Sequence, residues 1–311
     1  MIKKDKIAII GQQGMIVSAM ARRLRKDGFQ NLLLITPGEF DLTVQNVVHN
    51  LFQKEKPAFV LLTSVITGGI AANSRYPADF IYRNLQVQTN VIDAAYRSGV
   101  QKMLYLGSSC MYPRECPQPM KEEYMLSGKL EPTSEPYAVA KIAGSTMCQS
   151  YNQQYGTNFI RAIPADLYGP EDDFDPETGH VLPALLRRMH EAKIGGQKEV
   201  TVWGTGNPKR EFLHVDDLAD ACVFLMQNYD ESKVINIGFG NDTAIRDLVM
   251  IIKRVVGFEG ELTFDTSKPD GAPRKFLDSS RIFKMGWVPK IGLEKGLENT
   301  YHWYLRHYQT G

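Results

Sequence analysis

The first half of the chain alternates short apolar runs with longer stretches whose apolar residues recur at helical spacing. Lys6–Ile10 reads as a buried strand, followed by a glycine-bearing turn and a helix to about Asp27. Leu32–Ile35, Ala58–Leu62, Lys102–Leu106 and Asn158–Ala162 read as further strands, and Val44–Lys54, Pro77–Ser98 and Tyr137–Gln153 as helices. Such alternation predicts an α/β fold, a doubly wound parallel sheet with helices on both faces. Ligands of these sheets sit at the carboxyl ends of the strands. After Tyr168-Gly169-Pro170 the texture changes: Glu171–Glu177 is acidic and turn-rich, and later elements alternate less regularly. The expected division is a dinucleotide-binding domain over residues 1–166, rejoined at about 211–240, and a smaller C-terminal substrate-binding lobe over 167–210 and 241–311.

Two motifs stand where such a sheet would put a site. Gly11-Gln12-Gln13-Gly14-Met15-Ile16-Val17 follows the first strand and opens a helix. Glycines there let backbone amides approach a pyrophosphate at the helix N-terminus. A turn of this kind usually carries a third glycine, and Val17 in its place is expected to push the helix away or narrow the phosphate site. Taken alone, the segment also fits a plain strand–helix turn. At the end of the second strand a carboxylate would hold the ribose of NAD, and an arginine the extra phosphate of NADP. Leu34-Ile35-Thr36-Pro37 offers neither, which leaves the cofactor open. The other motif is Tyr137-Ala138-Val139-Ala140-Lys141, preceded by Gly107-Ser108-Ser109-Cys110 at the end of the fourth strand. At i and i+4 on a helix the phenol and the ammonium share a face, and a cation beside a phenol favours phenolate. Ser108 can hydrogen-bond the same substrate oxygen. The pair suits reduction of a carbonyl, although 14 tyrosines make about one such spacing expected by chance.

Bulk composition narrows the classes. With 311 residues, 43% hydrophobic and 23% charged, the chain is long enough for roughly two domains with a well-buried core. A net charge of +1 gives no broad footprint for nucleic acid or membrane, so an anionic ligand must be held by a few local cations. No segment approaches the ~20 apolar residues of a membrane helix, and Gln12 and Gln13 end the first apolar run too early for a signal peptide. Cys110, Cys116, Cys148 and Cys222 have no metal-type spacing and read as reduced, with the protein expected to be cytoplasmic and metal-free.

Further segments run through the whole length: Gly68-Gly69-Ile70, Tyr76–Tyr82, Leu106–Pro113, Glu131-Pro132-Thr133, Glu135–Ala138, Leu167–Pro170, His180–Arg188, Val202-Trp203-Gly204, Arg210–Asp217 and Ser267–Gly271. With them the chain resembles the GDP-L-fucose synthase family of the extended short-chain dehydrogenase/reductase superfamily, from about Lys6 to Leu305. The resemblance implies a Rossmann-type doubly wound sheet. It also implies an enzyme that takes a GDP-linked 4-keto-6-deoxy sugar, inverts C3 and C5, then reduces C4 with NADPH. Cys110 and His180 match the family's acid/base pair; thiol and imidazole are suited to it because their ordinary pKa values bracket neutrality. Ser108 and Tyr137 would hold the enolate oxygen, and Lys141 the nicotinamide ribose. By the same matching, Gly11, Gln12, Gln13, Gly14, Met15, Ile16, Leu106, Lys141, Pro164, Leu167 and His180 would line the cofactor. Arg188, Trp203, Arg210 and Asp270 would contact the GDP-sugar, with Trp203 also readable as plain core. The two long helices resemble the pair through which this superfamily forms a four-helix homodimer interface.

Departures from the family pattern gather at four places. The family's phosphate turn reads Gly-His-Arg-Gly-Met-Val-Gly against Gln12, Gln13 and Val17. Its Arg-Thr-Arg is Ile35-Thr36-Pro37, its Ala-Ala-Lys region is Ser64-Val65-Ile66, and its Pro-Thr-Asn is Pro164-Ala165-Asp166. All four are read as lying on the cofactor side. Losing both arginines removes charge-assisted bonds of ~1.5–3 kcal/mol each to the 2′-phosphate. NADP(H) is thus implied by resemblance, with NAD(H) as the alternative. Two other readings remain open at this stage. One is a redox-neutral epimerase or a related GDP-keto-heptose or dideoxyhexose reductase. The other is a non-catalytic paralogue that binds sugar nucleotides.

Overall fold

The computed structural model describes residues 1–63, 66–176, 178–268 and 270–308, with the side chain of Ile70 left out; Ser64, Val65, Glu177 and Pro269, named above, lie outside it. Five strands run through the first half: β1 (Ile7–Ile10), β2 (Leu32–Ile35), β3 (Phe59–Leu62), β4 (Lys102–Leu106) and β5 (Phe159–Pro164). Between them lie α1 (Met15–Lys26), α2 (Gln45–Glu55), the short α3 (Ile70–Arg75), α4 (Pro77–Arg97) and α5 (Glu135–Tyr155). The second half adds β6 (Asp166–Tyr168), α6 (Val181–Ile194), β7 (Glu199–Trp203), β8 (Lys209–Arg210), β9 (Phe212–His214), α7 (Val215–Asn228) and β10 (Val234–Ile237). It ends with β11 (Thr243–Ala244), α8 (Ile245–Val256), β12 (Glu261–Asp265), β13 (Arg274–Lys275), α9 (Ser280–Lys284) and α10 (Leu293–Tyr308).

The main sheet has the order β2-β1-β3-β4-β5-β10 and every pairing in it is parallel. β1, β3, β4, β5 and β10 are buried at every position, which parallel strands covered on both faces require. The strand order reverses between β1 and β3, and there a doubly wound sheet opens a crevice at its carboxyl edge. One core, with Ile7, Ile9, Leu104 and Ile160, lies under α1 and α7; the other, with Ala8, Val60, Met103 and Tyr105, lies under α2, α4 and α5.

A third core belongs to the smaller lobe. Leu182, Leu185 and Met189 of α6, Leu248 and Ile252 of α8 and Leu297, Tyr301 and Tyr304 of α10 enclose Tyr168, Phe174 and Phe212. Phe174 is fully buried against the rings of Trp303, Tyr304 and Tyr308 at 6.1, 4.9 and 5.5 Å. Leu277, Ile282 and Trp287 pack instead in the core beneath α1 and α7, so residues 277–287, between β13 and α10, return to the main sheet. Among the described residues no helix is long and apolar enough to cross a membrane.

Candidate active site

The carboxyl ends of β1, β3, β4 and β5 and the facing wall of the smaller lobe enclose a cleft of about 700 Å³. At one end lies the turn between β1 and α1. Gly14 caps α1 with φ +134°, a conformation closed to residues with a side chain, and a Cβ there would meet the Glu171 carbonyl at 3.4 Å. No side chain caps the helix and no acidic residue occupies its first turn, so its leading N–H groups are left for an anion. The donor set therefore fits the pyrophosphate of a dinucleotide. Val17 does not narrow this site, contrary to expectation: it is buried in the core with Ile7 and Ile9, and the cleft wall is made by Gln12, Gln13, Gly14, Met15 and Ile16.

Glu171 spans the mouth of the turn, accepting from Ser18 Oγ at 2.5 Å and from Arg22 Nη1 at 2.8 Å. The adjacent Asp172 is buried in the cleft wall, and burial pushes its carboxyl up to about 8, against one bond from the Asp173 amide at 2.8 Å. Across the cleft, the Gly69 amide donates to Thr178 O at 2.8 Å, and a Cβ on Gly69 would come within 2.6 Å of the Gly179 carbonyl. The loop after β3 and the loop leading into α6 thus touch backbone to backbone.

The centre of the cleft carries the groups expected to do chemistry. Ser108 lies two residues beyond β4, and its hydroxyl accepts from the Cys110 amide at 3.3 Å, starting a single helical turn over Ser109–Met111. Tyr137 stands on the inner face of α5, 8% exposed, edge-on to Phe80 with ring centroids 6.2 Å apart. The phenol borders the cleft together with Ser108, Cys110 and His180. Lys141 does not: it is 1% exposed beneath the wall, its Nζ 4.3 Å from the centre of the Tyr105 ring. Burial pulls its ammonium down to about 7. The ring face of Tyr105 is the compensation it has in this structure. Gly11 likewise lies behind the wall, while Leu106, Pro164 and Leu167 form part of it.

His180 occupies the N-cap of α6 in extended backbone (φ −72°, ψ 164°). Desolvation lowers its pKa; Asp166 and Asp173 oppose that, and Lys275 reinforces it. Because the residue is exposed to the cleft, its desolvation is only partial. Cys110 Sγ accepts from Lys275 Nζ at 3.7 Å, and the sulfur followed by Asp166 holds the Lys275 ammonium above its usual range. Neither Lys275 nor Asp166 was singled out from sequence as a site residue. Lys275 is 165 positions from Cys110 on a two-residue strand, a distance that no local pattern reports. Asp166 was noticed as a departure but assigned to the cofactor side. It lies against Ser109 and Arg210 and borders the cleft.

At the far end Trp203 is 62% exposed, with Arg188 and Lys268 cations 5.9 and 5.6 Å from its ring, which removes the plain-core alternative. Arg188 Nη1 donates to Thr201 O at 3.0 Å. Asp270 accepts from the amide and hydroxyl of Thr205 at 2.9 and 2.7 Å, fastening the turn that follows Trp203. Arg188, Trp203, Arg210 and Asp270 all border the cleft. Among the described residues no group of three or more His, Cys, Asp or Glu could hold a metal ion.

Comparison with known proteins agrees with this geometry. The family described as "NAD dependent epimerase/dehydratase family" matches residues 7–238. GDP-L-fucose synthase 1 of Arabidopsis thaliana is 55% identical over 98% of this chain and 94% of its own. Among solved structures, a GDP-6-OMe-4-keto-L-xylo-heptose reductase from C. jejuni superposes with a TM-score of 0.94 at 40% identity, covering 98% of this chain and 99% of that one. The GDP-mannoheptose C4 reductase MlghC from Campylobacter jejuni, with NADP bound, gives a TM-score of 0.89 at 43% identity over 98% and 99%. The chain belongs to the NAD dependent epimerase/dehydratase family, within the extended short-chain dehydrogenase/reductase superfamily.

Proposed function

We propose that this protein reduces the C4 ketone of a GDP-linked 4-keto-6-deoxy sugar, after exchanging the protons on C3 and C5. The observation that carries this reading is one cleft bordered by an uncapped helix N-terminus at one end, Arg188, Trp203 and Arg210 at the other, and Ser108, Cys110, Tyr137 and His180 between them. The ketone acidifies both neighbouring carbons. Cys110 takes a proton from one face and His180 returns one on the other, while Ser108 and Tyr137 hold the enolate oxygen. A bound nicotinamide supplies the hydride for C4. Tyr137 then gives its proton to the C4 oxygen, with Lys141 buried one turn along the same helix.

Ile35 and Pro37, where the resemblance would put arginines, support weakened discrimination between NADPH and NADH. The lobe that binds the sugar nucleotide is read as the third core with its flanking strands, residues 277–287 going with the sheet. The test is incubation with GDP-4-keto-6-deoxymannose and either NADPH or NADH in deuterated water, following nicotinamide absorbance and product stereochemistry. Oxidation of both cofactors within about tenfold of each other, with deuterium at C3 and C5, is expected. Exchange without oxidation assigns a redox-neutral epimerase, and unchanged substrate overturns the reading. The heptose-reductase relatives support a second substrate class, so a GDP-4-keto-heptose belongs in the same assay.

A further inference from the structure

Asp166 holds a position the chemistry above does not use. It opens β6, paired with Phe212 of β9, and borders the cleft. Its Oδ1 accepts from Ser109 Oγ at 3.3 Å, in the turn that carries Cys110, and its Oδ2 lies 3.9 Å from Arg210 Nε. Both contacts are long for an ionised carboxylate, whose good bonds fall near 2.7–2.9 Å. Glu211 makes the contrast. It is buried, bonded to the Gly240 and Leu277 amides at 2.8 and 2.9 Å, and so ties three segments together. Asp166 fastens nothing comparably, and what it brings to the wall is a charge.

The groups around that charge come from five elements. His180, at the start of α6, borders the same cleft as Asp166; Arg210 of β8 and Ser109 of the turn after β4 contact Asp166, and its charge reaches Lys275 of β13 and Glu211 at the step into β9. Asp173, in the loop before α6, adds a second negative charge toward His180. Lys275, which feels both Asp166 and Arg210, is the ammonium that reaches Cys110. Burying an imidazole disfavours its protonated form, and a nearby carboxylate restores it. The resemblance puts an asparagine at this position, which would leave Lys275 acting on His180 with one fewer opposing charge.

Resting on the functional reading above, we propose that Asp166 is a positioning residue for the carbon-acid step, whose carboxylate keeps His180 in service as the proton donor. An enzyme with this residue exchanges the C3 and C5 protons to higher pH than one with a neutral amide in its place. The arrangement also gives Arg210 a partner it can exchange for a substrate diphosphate.

The measurement is the pH dependence of deuterium incorporation at C3 and C5, for the unmodified protein and for Asp166→Asn, with melting temperatures alongside. The alkaline limb of the profile is expected to move down by about half to one pH unit in Asp166→Asn, the scale of one partly screened charge. Asp166→Glu is expected to return it. Asp166→Ser, which also removes the charge, must move the limb in the same direction and serves if the amide variant does not fold. Exchange lowered equally at every pH, with the limb in place, makes Asp166 a structural residue and overturns the proposal alone. Unmodified protein that exchanges neither proton at any pH overturns the functional reading and this proposal together.

Discussion

Asp172 is a carboxyl group that the fold keeps nearly dry. Its folded value of about 8 stands well above that of an unfolded aspartate, near 3.9. Between those two values the folded state holds a proton that the unfolded state has released, so stability falls as pH rises through the window. Asp172→Asn keeps the acceptor for the Asp173 amide and removes the ionisation. The variant is expected to gain in melting temperature over the unmodified protein at pH 8 relative to pH 5. An equal offset at the two pH values would mean that Asp172 is already ionised in the folded protein. Residues of this kind mark where sequence reading stopped. Ser108, Cys110, Tyr137 and His180 were legible because each belongs to a short motif, and all four reach one cleft. Lys275, Asp166 and the lowered pKa of Lys141 depend on which chain segments end up touching, and on how much water is left between them.

At the scale of elements, the strands of the main sheet were legible because burial on both faces makes each an unbroken apolar run. Helix α5 begins at Glu135, two residues before the expected start, since Pro136 fits the first turn where no N–H is needed. The six residues of α3 and the two-residue strands β8, β11 and β13 carry too few positions to show a period. The touching loops before α3 and α6 give a test. Gly69 has an ordinary φ of −67°, so alanine is allowed by the backbone and refused by the Gly179 carbonyl. Gly69→Ala is expected to push the 178–180 segment outward and His180 with it. The rate of C3/C5 exchange should fall at least about tenfold while the melting temperature drops by only a few degrees. An unaltered rate would show that the loop yields without moving the imidazole.

For the whole molecule, two cores flank the sheet and a third fills the lobe, with the cleft between sheet and lobe. Helices α4 and α5 pack side by side, joined by Gln88 Nε2 donating to Ala140 O at 2.6 Å, and they leave Tyr82, Val139 and Tyr155 exposed. A homodimer through these helices predicts a light-scattering mass of twice the 35.1 kDa chain, reduced to one chain by charge at Tyr82 and Val139 together. A single-chain mass for the unmodified protein would remove the dimer. Phe174, clasped by rings of α10, joins the two ends of the polypeptide more closely than their separation in sequence suggests. It anchors the stretch from which Glu171 reaches Ser18 and Arg22 on the first helix. During synthesis, every group assigned to catalysis has emerged well before that clasp can close. Until α10 has been made, Phe174 lacks the three rings it packs against, and the stretch that carries Glu171 lacks that anchor.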